Sequence, residues 1–348
     1  MPTMRSRFFL TIPLLLLLGA SCIRIQLQRT DGGVFSSTDR GQHWQAISNV
    51  LSAPGTTQTL ATQDIADLVM DPQNSNTLYA LFRPAGLALT NNSGVSWTVF
   101  EGFQKRNVAA LAVNPQKVCT VFVASGNTIL KTDDCLRTFQ TIYIDPRTDA
   151  TVTTLAIPFA RPQTIYAGLA TGEVIVSTDG GQTWTALTRF NSDTKKIVLD
   201  PQNADRLWAV TRSHGVFASH DRGATWQPQN ENIGRFGRVQ RIFDLRSDAS
   251  VPGGLLALTE SGLFRSKGDH PEWESVNIIP SPGSAFITTV AVDPVDSRQL
   301  YYTAQGTLYS STDNGVRWKS IRLPSTRLVS SMLIDPQNPD RLFIATTR

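Results

Sequence analysis

The stretch Ser177-Thr178-Asp179-Gly180-Gly181-Gln182-Thr183-Trp184 decides the reading of this chain, because its skeleton, Ser-x-Asp-x-Gly-x-x-Trp, keeps returning. Full copies stand at Ser37, Asp39, Gly41 and Trp44, at Ser219, Asp221, Gly223 and Trp226, and at Ser311, Asp313, Gly315 and Trp318. Weaker copies fill the gaps: Thr90, Asn92, Gly94 and Trp97, then Thr132, Asp134, Leu136 and Phe139, then Ser266, Gly268 and Trp273. The aromatic positions are 53, 42, 45, 42, 47 and 45 residues apart, the length of a four-stranded propeller blade. Of the seven Trp only Trp208 lies outside the motif, so the repeat is not an accident of composition.

Working outward, an apolar strand ending in an Asp-Pro or Asn-Pro turn precedes most copies: Leu68 to Pro72, Leu111 to Pro115, Ile197 to Pro201, Val290 to Pro294 and Leu333 to Pro336. The Asp or Asn accepts a local hydrogen bond and Pro fixes φ, which joins two strands, A and B, tightly. The fourth and sixth repeats, with Ile157-Pro158 and Leu245-Arg246-Ser247-Asp248, lack a good copy. The first motif has no such element before it, whereas Leu333 to Pro336 and Leu342-Phe343-Ile344-Ala345 form a surplus one at the other end. The expectation is therefore an all-β, seven-bladed propeller over 22–348, whose first blade takes strands A and B from the C-terminus and C and D from the N-terminus. Such a clasp removes two sheet edges.

Within the motif, the glycine supplies a positive φ for the turn between strands C and D. The Ser or Thr hydroxyl and the Asp carboxylate bond nearby backbone amides, and the aromatic side chain wedges between neighbouring sheets. Asp39, Asn92, Asp134, Asp179, Asp221 and Asp313, with Trp44, Trp97, Phe139, Trp184, Trp226, Trp273 and Trp318, are thus read as structural. One copy per blade cannot converge on a substrate.

These motifs resemble the Asp-box, or BNR, repeats of a propeller superfamily, and the resemblance covers nearly all of 22–348. The superfamily includes bacterial sialidases, xyloglucanases, the sortilin ectodomain and the photosystem II stability and assembly factor. The last is lipid-anchored and of similar size, which implies a role in assembling membrane proteins. It carries Trp-x-Val-Gly in strand B, however, where this chain has Ile165-Tyr166-Ala167-Gly168 and Leu207-Trp208-Ala209-Val210, closer to the sortilin and xyloglucanase style.

At 348 residues with 41% hydrophobic and 17% charged side chains, 24 Gly and 19 Pro, the chain is turn-rich and globular; disorder and a polytopic membrane protein are excluded. Arg5 and Arg7 precede an apolar run from Phe8 to Ala20, too short to span a bilayer and suited to a signal peptide over 1–21. Leu18-Gly19-Ala20-Ser21-Cys22 resembles a bacterial lipobox, which implies lipidation of Cys22 and tethering outside the cytoplasmic membrane; plain secretion after Ser21 is the alternative. Loss of Arg5 and Arg7 lowers the net charge from +4 to +2, too weak to argue for nucleic acid. Cys119 and Cys135 flank a predicted hairpin around Ser125-Gly126-Asn127, so a disulfide is expected, with two free thiols as the alternative.

His43, His214, His220 and His270 show no metal-ligand spacing, no nucleophile elbow or phosphate loop is present, and no cofactor is expected. Glycoside hydrolysis needs two facing carboxyl groups or a Tyr nucleophile. Glu is scarce, and Ile321-Arg322-Leu323-Pro324 is only faintly like the Arg-Ile-Pro signature of sialidases. The expectation is a chain without catalysis, monomeric, that binds a protein partner of the cell envelope, with a glycan ligand or a sialidase-like hydrolase as the alternative. Recognition falls to the variable D-to-A loops, where 11 Lys and Arg side chains oppose six carboxylates. The binding residues expected are Arg235, Phe236, Arg238, Arg241, Lys195, Lys196 and Arg147, with Gly234-Arg235-Phe236-Gly237-Arg238 as the most pointed candidate.

Overall fold

The computed structural model describes residues 31–51, 58–229, 241–266, 268, 272–279 and 286–348. Seven four-stranded antiparallel sheets form a closed propeller, and a small two-stranded sheet lies between the first and second. The first blade is composite. Its strands A and B, Leu328–Ile334 and Leu342–Thr347, pair with C and D, Val34–Ser37 and Gln45–Ala46. Val34 lies opposite Ala345 and Ser37 opposite Leu342, which closes the ring. The other innermost strands, A, are Asp64–Asp71, Val108–Val113, Val152–Ala156, Thr194–Leu199, Ile242–Asp248 and Ile287–Val292.

Each pair of neighbouring blades encloses its own apolar cluster. Leu60, Leu68, Ala80 and Trp97 meet Phe343 and Ala345 between the second blade and the first. Trp208, Val210, Leu245 and Trp273 meet between the fifth and sixth. The core is thus a ring of seven separate interfaces, with a channel on the axis.

The Asp-box turns lie on one face, and four of their indoles staple a blade to the one before. In the box that opens with Ser177, the Ser177 hydroxyl donates to Asp179 Oδ1 (2.7 Å) and accepts from Gly181 N (2.8 Å), while Asp179 Oδ1 accepts from Thr183 N (3.0 Å). Indole N–H groups cross the blade boundary: Trp97 donates to Ile47 O (2.6 Å), Trp184 to Ile142 O (3.2 Å), Trp273 to Gln229 O (3.0 Å) and Trp318 to Asn277 O (2.6 Å). Gly41, Gly181, Gly223 and Gly315 all have positive φ, between 83° and 96°. The preceding residue is left-handed too, as at Arg40 (58°), Arg222 (64°) and Asn314 (62°), which the sequence reading did not anticipate.

In the third blade Leu136 occupies the glycine position at φ 70°, a conformation costly for a branched side chain. There the structure joins Cys119 and Cys135 in a disulfide with Cα atoms 4.2 Å apart. The sixth blade does hold an A-to-B turn of the common kind, since Asp248 Oδ1 accepts from Ser250 N (3.1 Å) as Asp200 Oδ1 does from Gln202 N (2.8 Å). Ala249 replaces Pro without loss of the bond that makes the turn.

Candidate functional site

The opposite face carries the D-to-A and B-to-C loops and the mouth of the channel. Every strand A breaks register with strand B near this mouth, so one residue per blade has no partner across the ladder: Ala66, Ala109, Thr153, Lys195, Phe243, Thr288 and Ser330. A bulge re-aims its side chain and is common beside sites of function. Seven bulges in phase form a ring with one backbone geometry and five kinds of side chain.

Below the ring lies a charge cluster. Asp244 accepts from Lys196 Nζ (2.5 Å), from Arg246 Nε (2.8 Å) and from Leu245 N (2.9 Å). Burial alone would raise its pKa, but the charges of Arg246 and Lys196 and their hydrogen bonds outweigh burial and hold the carboxyl below its ordinary range. Lys196 is shifted down, by burial first and then by Arg246. Its side chain nevertheless keeps 33% of its accessible surface, as expected of a channel narrow enough to thin the water without excluding it.

Asp67, on strand A of the second blade, feels the same two cations from across the channel. Its Oδ1 accepts from Ser331 Oγ (2.7 Å) and from Leu68 N (2.9 Å). Among the described residues Oδ2 has no hydrogen-bond partner, and the side chain is exposed. Asp244 is saturated and Asp67 is half open, which separates a structural carboxylate from one able to meet a ligand.

Beside the mouth, between the fourth and sixth blades, a cavity of about 420 Å³ is lined by Thr153, Asp193, Lys195, Lys196, Phe243 and Asp244, among others. Phe243 and Phe286, 47% and 58% exposed, stand edge to face with ring centroids 6.0 Å apart. Two exposed aromatic rings on a mouth of polar side chains make an apolar shelf of the kind that can seat a ligand.

Of the residues expected to bind, Lys195, Lys196 and Arg241 come together here. Desolvation, then Arg212 and Arg241, lowers the Lys195 pKa. Arg147 stands apart, tied through Nη2 to Asp145 (2.9 Å) and through Nη1 to Glu173 (2.7 Å), with bonds to both raising its pKa. Arg235, Phe236 and Arg238, like Cys22 and the segment 1–21, lie outside the described residues. The sequence reading missed Asp67, Phe243, Asp244, Arg246 and Ser331. The available signal was polar residues in strands otherwise apolar, Asp64-Ile65-Ala66-Asp67 and Phe243-Asp244-Leu245-Arg246. Among the described residues no cluster of His, Cys, Asp and Glu is placed to hold a metal ion, and no helix is long and apolar enough to cross a membrane.

The sequence model of the BNR/Asp-box repeat matches residues 175–186, so the repeat read from the sequence stands, on a seven-bladed propeller. A xyloglucanase of Paenibacillus sp. is 25% identical over 347 residues, covering 83% of this chain and 31% of the relative. The chain thus spans about a third of that enzyme. The crystal structure of the GH74 xyloglucanase from Xanthomonas campestris superposes with a TM-score of 0.69 at 17% identity, over 82% of this chain and 51% of that one. A structure of YCF48 bound to D1 peptide superposes with a TM-score of 0.63 at 15% identity, over 82% of this chain and 94% of that one. The expectation of a chain without catalysis is corrected by these findings, because the relatives matched in sequence are glycoside hydrolases. The scarcity of Glu is no ground against catalysis, since Asp serves hydrolysis as well.

Proposed function

We propose that the chain is a polysaccharide-directed propeller of the xyloglucanase kind, which lays a neutral β-glucan across the channel mouth and presents Asp67 to it. The observation that carries this reading is an open carboxylate oxygen at Asp67 on the same mouth as the exposed Phe243–Phe286 pair. The hydrophobic faces of pyranose rings stack on aromatic rings, and their hydroxyl groups suit the Thr153, Thr288 and Ser330 positions of the bulge ring. Asp67 supplies one of the two carboxyl groups that glycoside hydrolysis requires. Sequence similarity to xyloglucanases supports the substrate class.

The test is reducing-end release and binding with xyloglucan oligosaccharides, on the intact chain and on Asp67→Asn. Release by the intact chain that falls at least about a hundredfold in Asp67→Asn, with binding kept, supports the proposal. Absence of both binding and release refutes it. A second reading, capture of a peptide as an assembly factor, is favoured by one observation: the chain matches YCF48 along 94% of that protein but the Xanthomonas xyloglucanase along only 51%. Binding of an extended peptide at the mouth, with no response to oligosaccharide, would select it. The leader at 1–21 and Cys22 support a place outside the cytoplasmic membrane, which incorporation of labelled lipid by the intact chain and its loss in a Cys22→Ser variant would check.

A further inference from the structure

The connection from the first blade to the second is the longest between repeats, 53 residues from Trp44 to Trp97, and it carries a two-stranded sheet found in no other connection among the described residues. Asn49–Val50 pairs with Gln58–Thr59, and a 3-10 turn, Leu60–Thr62, follows. The hairpin is fastened to the outer edge of the second blade: Trp97 N donates to Asn49 O (2.8 Å) and Leu51 N donates to Trp97 O (2.8 Å). Between hairpin and blade opens a cavity of about 460 Å³. Its walls are therefore set before any ligand arrives.

The chemistry of the cavity is uniform. Buried Phe82 and Leu60, with Val50 and Val99, make the floor, and Gln58, Gln63 and Gln104 stand on the rim. Among the described residues no Asp, Glu, Lys or Arg lines it. Arg327 and Arg348 reach the backbone oxygens of Gln63 and Thr62, and each also faces a carboxylate, Asp31 (3.5 Å) or Asp64 (3.9 Å). Among the described residues the three rim carboxamides make no side-chain hydrogen bond. A carboxamide both donates and accepts, as a sugar hydroxyl does, whereas a charged ligand would lose hydration here without meeting a counter-charge.

We infer that this cavity is a second binding site, for one or two rings of a neutral pyranoside, with the ring face on Phe82 and Leu60 and the hydroxyl groups on Gln58, Gln63 and Gln104. The inference does not rest on the reading of the channel mouth. It is tested by calorimetry with cellotetraose as the neutral probe and trigalacturonate as the anionic one, on the intact chain, Ala85→Trp and Gln58→Ala/Gln104→Ala. Ala85 lines the cavity outside the core, so Trp there fills it; the double variant removes the rim and serves if Ala85→Trp misfolds.

The expected result is a cellotetraose isotherm with a component whose affinity falls at least about tenfold in both cavity variants, as for the loss of one or two hydrogen bonds in the double variant, whatever binds at the channel mouth being kept. Hydrogen exchange should slow at 58–63 on binding. Equal affinity in the folded cavity variants, equal affinity for trigalacturonate, or no binding by the intact chain overturns the inference. Failure at the channel mouth reads out separately, as loss of reducing-end release in the intact chain.

Discussion

The two faces of the propeller repeat different things. On the Asp-box face the side chains repeat: in the four full copies a carboxylate accepts from the backbone N–H four residues on, and the Ser37, Ser177, Ser219 and Ser311 hydroxyls accept from glycine N–H at 2.7 to 2.8 Å. At the channel mouth only the backbone repeats. The same bulge recurs, but it presents alanine, threonine, lysine, phenylalanine or serine. Side chains that answer to one another stabilise; side chains free of that duty can answer to a ligand. Substitutions on the two faces should therefore fail in different assays.

The largest effect is expected at Trp97, fully buried in the interface that the composite first blade makes with the second. Trp97→Ala removes its packing and leaves Ile47 O without its donor, so it should cost ~3–5 kcal/mol in chemical denaturation. A loss under ~1 kcal/mol would mean that the blades hold without their staples. Next is Gly315, at φ 83°, where an added Cβ would run into the Val276 side chain of the neighbouring blade. Gly315→Ala should cost ~1–3 kcal/mol, through both backbone strain and overpacking. The same substitution at Gly268, φ 75° with open space around it, carries the backbone share alone and should cost less, which separates the two causes.

At the mouth the order of effects inverts. Phe243→Ala/Phe286→Ala removes exposed rings and should change stability by no more than ~0.5–1 kcal/mol, the usual range for surface sites and an exposed aromatic pair. Xyloglucan-oligosaccharide binding should weaken about tenfold, the loss of a ring contact. Unchanged binding with unchanged stability would remove the shelf from the site and leave the comparison of faces without its functional half.

The division also explains what could be read without coordinates. Blade number, the clasp and the structural role of the Asp-boxes depend on local spacing and on residues that satisfy one another within about eight positions, and spacing is visible in a sequence. The bulge ring is not, because a bulge is a statement about the partner strand: nothing in Ile242-Phe243-Asp244 says that Thr259 pairs with Ile242 and Leu258 with Asp244, leaving Phe243 out. The count of basic loop residues misled for a related reason. Arg147, Arg189 and Lys196 look free along the chain, yet each finds a carboxylate on another strand, Glu173 or Asp244. Asp67 escaped notice because its meaning comes from Lys196 and Arg246, which are far away in sequence and close only across the channel.

The smallest effect, and the finest test of why the Asp-box face repeats, lies in its carboxylates. Hydrogen bonds from His43 backbone and ring hold Asp39 down at about 2, and those from Thr225 and Arg317 hold Asp221 and Asp313 at about 2. A folded-state pKa below the unfolded value means that the ionised form is the one folding favours. The contribution is complete above the unfolded value of about 3.8 and disappears as pH falls through about 2. The second blade shows what a box without the charge can do. Asn92 Oδ1 still accepts from Ser96 N (3.0 Å), and its amide turns the other bond around by donating to Ser96 Oγ (2.9 Å). Thr225, whose hydroxyl donates to Asp221 Oδ2 (2.6 Å), can reverse in the same way. Asp221→Asn should then leave stability at pH 7 within ~1 kcal/mol of the parent, as for one exposed hydrogen bond, and should shrink the loss of stability between pH 4 and pH 2. Acid titrations of unfolding read both quantities. If Asp221→Asn costs as much as Gly315→Ala at pH 7, charge is essential to the turn, and Asn92 is tolerated only because its blade is buttressed by the extra hairpin.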